Sequence, residues 1–298
     1  MSPRSLAFRE FEVRHRGEAD VYWRLAASAA FAERWWASIP VQERPSFISD
    51  AALDPASAEA RVRLSPDDFL ANQFHVLLWA RAFTLVAIVT SFESYLRRAL
   101  ERAIVVKPAL LEHFEMQLAA KDLAGPAEDG SLRQWLARRV ADKFIRDKTH
   151  PEAYRRLDEI FKCGVSKKLA AKVEEWQRLT LLRNAIVHES RGATPELVRA
   201  WPDRFPRVGA VVVLDGPDID RAHDLGFELA EALDHRYATE LIGEADAADL
   251  VFQLYRKMGV TDPVQVVSLV ADQLGYTLSE SRAAELIALA GSGVHGFP

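Results

Sequence analysis

Apolar residues recur at three- and four-residue steps along nearly the whole chain, which is the spacing that places them on one face of an α-helix. Glycine and proline residues separate the segments that show this pattern. The pattern predicts helices over residues 5–38 (as one helix or two), 65–106, 110–123, 132–146, 151–161, 167–189 and 219–242, and three short helices at 247–257, 263–274 and 279–289. The sequence therefore predicts an all-α fold.

The segment 65–106 carries the clearest helix signals. Ser65 offers a capping hydroxyl, Pro66 suits the first helical position, and two aspartates follow where the helix dipole favours negative charge. Pro108 ends the segment. One stripe of apolar residues recurs along it: Leu85, Ile88, Val89, Phe92, Leu96, Ala99, Leu100 and Ala103. Charged residues such as Arg81 and Glu93 interrupt the apolar run, so we expect a buried core helix and no membrane span.

The helix-breaking residues elsewhere in the sequence suggest that the chain has three parts. Pro40, Pro45 and Pro55 break the helical pattern and indicate a linker, and the composition changes again after Gly243. We expect an N-terminal helical arm with its linker at 1–62, a helical domain at 63–243 and a small C-terminal helical appendage at 244–298. The β-branched run at 208–214 predicts one short strand or hairpin within the middle part.

Composition narrows the class of protein. With 49% hydrophobic and 27% charged residues, the chain falls in the globular range. Cys163 is the single cysteine, which excludes an internal disulfide, and the first residues lack a secretory signal pattern, so we expect a cytoplasmic protein. A net charge of -5 excludes nucleic-acid binding by bulk electrostatics, although basic residues cluster at 133–148. That cluster indicates a solvated helix face more than an RNA-binding surface.

One short motif carries candidate chemistry, namely an arginine followed by a histidine after four to six intervening residues. By chance, a chain of this composition contains about two such pairs, so the spacing alone means little. Two occur here, from Arg9 to His15 and from Arg183 to His188. The first lies in the polar N-terminal arm, which offers no second helix for pairing. The second lies in an apolar helix, and Asn184 follows its arginine directly.

With Asn184 in that place, and with a preceding helix that carries the run from Ser91 to Leu96, the sequence resembles the HEPN family over residues 65–242. The resemblance implies a HEPN-like helical bundle and a metal-independent ribonuclease whose active site forms where two protomers pair. It also implies an RNA substrate, a homodimer and a role in toxin–antitoxin, abortive-infection or antiviral systems, with an antitoxin or another defence component as a possible partner. Some family members are inactive binding modules.

Helical geometry places the motif residues independently of that resemblance. If Leu179, Leu182 and Ile186 form the buried stripe, a step of about 100° per residue puts Asn184 and His188 on the opposite face. Gln177 and Leu181 share that face. Arg183 lies about 140° from His188, but its long side chain can bend toward it. We therefore expect an exposed ridge that holds an imidazole, an amide and a guanidinium, and that also suits a second copy.

These residue types match the needs of RNA cleavage without a metal. His188 would act as base or acid, and the planar fork of Arg183 would stabilise the phosphate oxygens. Asn184 would orient the phosphate or the histidine ring, and Glu93 would pair with Arg183 to hold it. No His or Cys cluster has metal-ligand spacing, and no glycine-rich phosphate loop is visible, so we expect neither a metal nor a cofactor.

Other interpretations remain open at this point. His188 alone would more often cap or decorate a helix end, and Trp176 and Tyr95 more often pack in a core than stack on bases. An inactive HEPN scaffold is one alternative. A helix-turn-helix DNA-binding regulator at 264–290 is another, but its second helix carries Glu280 and Glu285 and is net acidic, which disfavours binding in a DNA groove.

Overall fold

The computed structural model of the protein describes residues 3–52, 54, 56–115 and 132–292. Helix dominates these residues, and extended pairing among them is limited to one antiparallel bridge between Gly192 and Val211. The all-α prediction is confirmed. The α-helices are α1 (Leu6–Ser38), α2 (Pro66–Val106), α3 (Leu132–Arg146), α4 (His150–Phe161), α5 (Ala170–His188), α6 (Pro195–Ala200), α7 (Gly216–Arg236), α8 (Glu244–Met258), α9 (Pro263–Leu274) and α10 (Glu280–Gly291).

Shorter turns connect some of these helices. The linker between α1 and α2 contains single 3-10 turns, and α7 continues into a wider π-helical turn. Their bounds are Val41–Glu43, Ile48–Ala51, Glu59–Arg61 and Pro108–His113 for the 3-10 turns and Tyr237–Ile242 for the π-helical turn. Helix α6 was not predicted, although Thr194 caps it by accepting a hydrogen bond from the Leu197 amide at 3.1 Å and Pro195 occupies its first turn.

The predicted strand at 208–214 is not formed. Val212 and Leu214 are buried while Val211 and Val213 are exposed, so the side chains alternate as a strand's would. The backbone pairs only with the loop at 191–193, through bonds such as Val212 N–H to the Arg191 carbonyl at 2.8 Å. A ladder needs a second extended segment, and the loop supplies a single bridge.

The helix predicted at 110–123 is also wrong where it can be compared. Residues Pro108–His113 form a 3-10 turn with no buried side chain, and Phe114 is extended. Without an apolar face to bury, the segment lacks the packing that stabilises a longer helix. The rest of the predicted helix, beyond residue 115, lies outside the described residues.

Two compact units make up the chain. Unit 1 comprises Met1–His15, Val89–Leu181 and Asp224–Pro298, and unit 2 comprises Arg16–Ile88 and Leu182–His223. Their boundaries fall inside α1, α2, α5 and α7. The structure thus divides the chain differently from the three consecutive parts predicted from sequence, because segments distant in sequence pack together within each unit.

The core of unit 1 is built on the second half of α2. Phe92, Leu96 and Leu100 are fully buried, as the apolar stripe predicts. Phe8 and Phe11 at the start of α1 pack against Tyr95 on this helix, with ring centroids 6.1 and 5.4 Å away. The interpretation of residues 5–15 as a polar arm without a helix to pair with is therefore wrong.

Two buried aspartates hold the beginning of α1 in unit 1. The Ser5 amide donates to Asp234 Oδ2 at 2.9 Å, and the Ser5 hydroxyl donates to Oδ1 of the same carboxyl. The Leu6 amide donates to Asp246 Oδ2 at 2.7 Å. These carboxyls accept from amides that have no partner within the first turn of a helix, so they cap α1 from elsewhere in the sequence.

Helices α8, α9 and α10, the three short helices predicted at the C-terminal end, share a small apolar core that includes Val251, Val266 and Leu286. Their caps are regular: Asp262 caps α9, Ser279 caps α10, and Gly275 ends α9 with a positive φ of 62°.

Unit 2 contains the first half of α2, most of α1 and helix α6. Leu85 and Ile88 are fully buried here, again as predicted, and Arg81 Nε donates to the Tyr22 hydroxyl at 3.0 Å. By length and composition, α2 as a whole is the one described helix that meets the criterion for a membrane span, which core helices of soluble proteins also meet.

Candidate functional site

Helix α5 carries the arginine–histidine motif. Around the motif, the buried positions of this helix are Trp176, Leu179, Thr180, Leu182 and Ala185, while Ile186 is half-buried. The buried stripe is therefore rotated slightly from the predicted one, toward Ala185. Of the four residues of the predicted exposed ridge, His188 is exposed, whereas Gln177, Leu181 and Asn184 are half-buried.

His188 is the last residue of α5. The chain then reverses: Ser190 and Arg191 both adopt positive φ values, 49° and 69°, and the Arg191 amide donates to the Ala185 carbonyl at 3.0 Å. This closure of the helix places the imidazole at an exposed helix end, where it is open to solvent and to a ligand. The same position also suits a purely structural end-of-helix histidine.

Arg183 and Asn184 are joined directly. Arg183 Nη1 donates to Asn184 Oδ1 at 3.0 Å, and both side chains are half-buried. The arginine side chain therefore bends toward the Asn184 side of the helix, which is also the side of His188. Because the amide oxygen is engaged with the guanidinium, Asn184 orients Arg183, whereas the sequence suggested that it orients a phosphate or the histidine.

Glu93 lies in unit 1, whereas Arg183 lies in unit 2. Its pairing with Arg183 stays a prediction. Within its own unit Glu93 contacts His150, whose Nε2 is 3.3 Å from Glu93 Oε2. Trp176 Nε1 donates to His150 Nδ1 at 3.3 Å. Since an indole N–H only donates, Nδ1 is the acceptor, and Nε2 carries the proton that it donates to Glu93.

Sequence reasoning missed this Glu93–His150–Trp176 chain. The local sequence around His150 shows only a helix start: Thr149 and Glu152 form a capping box, and Pro151 occupies the first turn. Nothing in that pattern relates His150 to a glutamate 57 positions earlier. Trp176 is 1% exposed and Tyr95 is 1% exposed, so both pack in the core as expected.

An exposed apolar face lies on the part of α2 that belongs to unit 2. Val76, Trp79 and Phe83 follow one another at helical steps and are 47%, 48% and 64% exposed. The Trp79 and Phe83 rings stack with centroids 5.7 Å apart. Arg191, three residues after His188, lies over the Trp79 ring at 5.2 Å and donates to the Val212 carbonyl at 2.9 Å. The turn that follows His188 is thus fixed on this α2 apolar face.

Among the described residues, unit 2 exposes more large apolar side chains than unit 1 does. Besides the α2 apolar face, it exposes Phe31 at 66%, Phe74 at 57% and Val187 at 48%, the last being the neighbour of His188. The stacked Trp79 and Phe83 rings form a contiguous exposed apolar patch, and such patches often mark an interaction site.

Among the described residues, no group of three or more His, Cys, Asp or Glu side chains is arranged to hold a metal ion. Comparison of the chain with protein-family models, with curated proteins and with solved structures finds no match. The candidate site therefore rests on its own geometry: an oriented arginine, an amide that orients it, and an exposed histidine on the same helix.

Proposed function

We propose that the protein is a metal-independent endoribonuclease whose active site is completed by a second copy of the chain. The observation that carries the proposal is the Arg183–Asn184 hydrogen bond on the helix that ends in the exposed His188. It supplies a positioned cation for a phosphate and a nearby group that transfers protons. The HEPN resemblance adds a defence or toxin role in the cytoplasm to the same proposal.

The chemistry follows from these groups. One His188 removes the proton of a ribose 2′-hydroxyl, and the 2′-oxygen attacks the adjacent phosphorus. Arg183 stabilises the negative charge that builds on the non-bridging oxygens. The bond from phosphorus to the 5′-oxygen breaks, and the His188 of the second copy protonates that oxygen. The products are a 2′,3′-cyclic phosphate and a 5′-hydroxyl.

A second copy is supported by the exposed apolar surface of unit 2. The α2 apolar face and Val187 would lose their water contact in a two-fold pairing, in which the same patch of both chains meets. Replacing Trp79 and Phe83 by serine should convert a dimer into monomers in analytical ultracentrifugation. Leu132→Ser, at a 51% exposed residue of unit 1, is the matched control and should leave the dimer intact.

The activity test uses a single-stranded RNA in the presence of a chelator. We expect cleavage that leaves a cyclic phosphate, and no cut where the nucleotide on the 5′ side carries a 2′-deoxyribose. Cleavage of the deoxy position would refute the 2′-hydroxyl mechanism. Loss of cleavage on chelation would refute metal independence.

Variants test the residue roles. His188→Ala should reduce the cleavage rate by at least about 100-fold, the contribution of a general acid or base, with little change in melting temperature. His235→Ala is the matched control, because His235 is also exposed in the last turn of a helix. A stability loss without a rate loss for His188→Ala would instead support the structural role of this histidine.

Arg183→Ala should reduce the rate strongly, and Asn184→Ala should reduce it less, because Asn184 acts by orienting the guanidinium. Arg178→Ala on the exposed side of the same helix controls for the loss of a charge. Equal effects of Asn184→Ala and Arg183→Ala on the rate would contradict the orienting role.

An inactive binding module is the second candidate, and the exposed apolar surface of unit 2 is the observation that favours it. Such a module would dimerise or bind a partner, for example an antitoxin, without cutting RNA. We do not propose a DNA-binding regulator. Arg282 on α10 is engaged by Glu244 and by Glu285, the latter at 2.7 Å, so the one basic residue of that helix is neutralised.

A further inference from the structure

A cleft of about 680 Å³ in unit 1 lies apart from the arginine–histidine motif in sequence. The second half of α2, the start of α1, helix α3 and helix α8 line it. Its charged lining consists of the arginines Arg97, Arg98, Arg102 and Arg138 and the acidic residues Glu10, Glu101 and Asp249. We call it the arginine cleft. Its volume is in the range of sites that hold a ligand of nucleotide size.

Arg102 is the fixed member of this lining. Its Nε donates to Asp246 Oδ1 at 2.7 Å and its Nη2 lies 2.7 Å from Asp249 Oδ2. The side chain is only 20% exposed, and the nearby carboxylates raise its pKa further above the ordinary arginine value although burial opposes them. Arg102 therefore belongs to the wall of the cleft.

The other three arginines are held loosely. Arg97, Arg98 and Arg138 are 35%, 42% and 50% exposed. Each of them has a carboxylate partner: Arg97 Nη1 is 3.3 Å from the exposed Asp142, Arg138 Nε is 3.8 Å from Glu101, and Arg98 Nη1 pairs with the exposed Glu10. Ion pairs of this exposed kind contribute little to stability, so a ligand exchanges with them at small cost. A phosphate accepts two parallel hydrogen bonds from a guanidinium and is the natural ligand for such a set.

Helix α3 extends the positive charge beyond the cleft. Arg138 faces the cleft, and Arg139, Lys143 and Arg146 lie exposed along the same helix. Asp142 is the one acidic residue within the helix, and Asp147, directly after it, pairs with Arg146 at 3.4 Å. The protein has a net charge of -5, so the chain as a whole repels polyanions. These basic residues form a local positive track that attracts them. A track of this length fits a strand with several phosphates better than a single phosphate.

The carboxylates of the cleft favour RNA over DNA. Glu10 and Glu101 accept hydrogen bonds and offer none, so they repel phosphate oxygens but accept from hydroxyl groups. A ribose 2′-hydroxyl donates such a bond, and a deoxyribose does not. The guanidinium groups of the cleft can bind phosphates, and the neighbouring glutamates can accept hydrogen bonds from 2′-hydroxyls. This lining suits a ribonucleotide strand.

We propose that the arginine cleft and the adjoining basic side of α3 bind the phosphodiester backbone of single-stranded RNA. This inference rests on the proposed function, because it assigns the surface that holds the substrate of the same enzyme.

The test measures equilibrium binding of a 12-nucleotide RNA to the full-length His188→Ala protein, in which we expect cleavage to be at least about 100-fold slower. In that background Arg97→Ala with Arg138→Ala should weaken binding about tenfold at low salt. The slope of log affinity against log salt should fall by about 1.4, since each phosphate contact contributes about 0.7 on single strands. Arg236→Ala, a 51% exposed and ion-paired arginine of α7, should change neither quantity.

A double variant that conserves the two positive charges provides a second test in case the double alanine variant does not fold. Arg97→Lys with Arg138→Lys should weaken binding severalfold while the salt slope stays at its starting value, because the charge remains and the fork is lost. Adding Glu101→Ala should reduce the preference for RNA over DNA of the same sequence. Unchanged affinity and slope in both double variants would overturn the inference.

Adenosine monophosphate separates a free-nucleotide site from a strand site. If the arginine substitutions abolish binding of adenosine monophosphate but leave the affinity for RNA unchanged, the inference is also overturned. Its failure is distinguishable from that of the proposed function. If the protein binds RNA through these arginines but never cuts it, only the proposed function is refuted. If the protein cuts RNA but its binding does not depend on these arginines, only the role of the arginine cleft is refuted.

Discussion

The Asp234 carboxyl predicts an unusual dependence of stability on pH. Burial raises its pKa to about 7, the hydrogen bonds from Ser5 partly oppose this, and the negative charge of Asp246 adds to it. In the unfolded chain the same carboxyl titrates near 3.8. Between about pH 4 and pH 7 the native state therefore holds a proton that the unfolded state has released. The stabilisation is complete below about pH 4 and is lost as the pH rises to about 7.

The magnitude follows from the difference in pKa. A difference of about three corresponds to about 4 kcal/mol over the whole window, of which roughly 2.5 kcal/mol falls between pH 5 and pH 8. Asp234→Asn removes the titration while it keeps a similar shape and an oxygen that accepts from the Ser5 amide. We therefore expect the variant to gain stability relative to the wild type as the pH rises.

Urea unfolding followed by circular dichroism at pH 5, 6, 7 and 8 measures this. The difference in free energy of unfolding between variant and wild type should grow by roughly 2.5 kcal/mol across the series. The comparison cancels the titration of the histidines, which both proteins share. Asp20→Asn, at an exposed carboxylate, controls for the loss of a charge. A difference that stays constant with pH would refute the reasoning.

Three further substitutions test the packing of unit 1 by thermal unfolding. Gly226→Ala places a methyl group 2.9 Å from His15 Cε1 and 3.1 Å from the Trp176 ring and should cost about 1–3 kcal/mol, whereas Gly216→Ala on the same helix meets its nearest atom at 3.4 Å and should cost less. His150→Ala leaves the buried indole N–H of Trp176 without its acceptor and should cost about 1–3 kcal/mol. Thr149→Ala removes the capping box of α4 and should cost about 1 kcal/mol; an unchanged melting temperature in any of the three contradicts the contact concerned.

Long helices with one apolar stripe were predictable from the sequence, because their pattern and their packing agree. The stripe from Leu85 to Ala103 is fully buried, and the start of α2 at Pro66 is where the capping signals place it. The structure of residues 208–214 was not predictable in this way. The β-propensity of a residue describes how well it fits a sheet and does not indicate whether a partner strand exists. Buried and exposed side chains alternate along this segment as predicted, but its backbone forms no ladder of hydrogen bonds with a partner strand.

The candidate site divides in the same way. The exposure of His188 and the nearness of Arg183 to Asn184 follow from positions on one helix. The contact of Glu93 with His150 depends on how α4 meets α2, which no local pattern determines. The anchoring of α1 was hidden for the same reason, since its capping carboxyls lie more than two hundred residues away in sequence.

That anchoring has a consequence for how the protein is made. The amides of Ser5 and Leu6 are bound by Asp234 and Asp246, which are 229 and 240 residues later in the chain. At about 5–20 residues per second, a ribosome finishes these acceptors tens of seconds after it releases the first helix. During that interval the Ser5 and Leu6 amides lack their native acceptors, although Phe8 and Phe11 can already pack against Tyr95 of α2. The N-terminal end of α1 is therefore capped only after α7 and the start of α8 have been synthesised, so this cap forms late in the folding of unit 1.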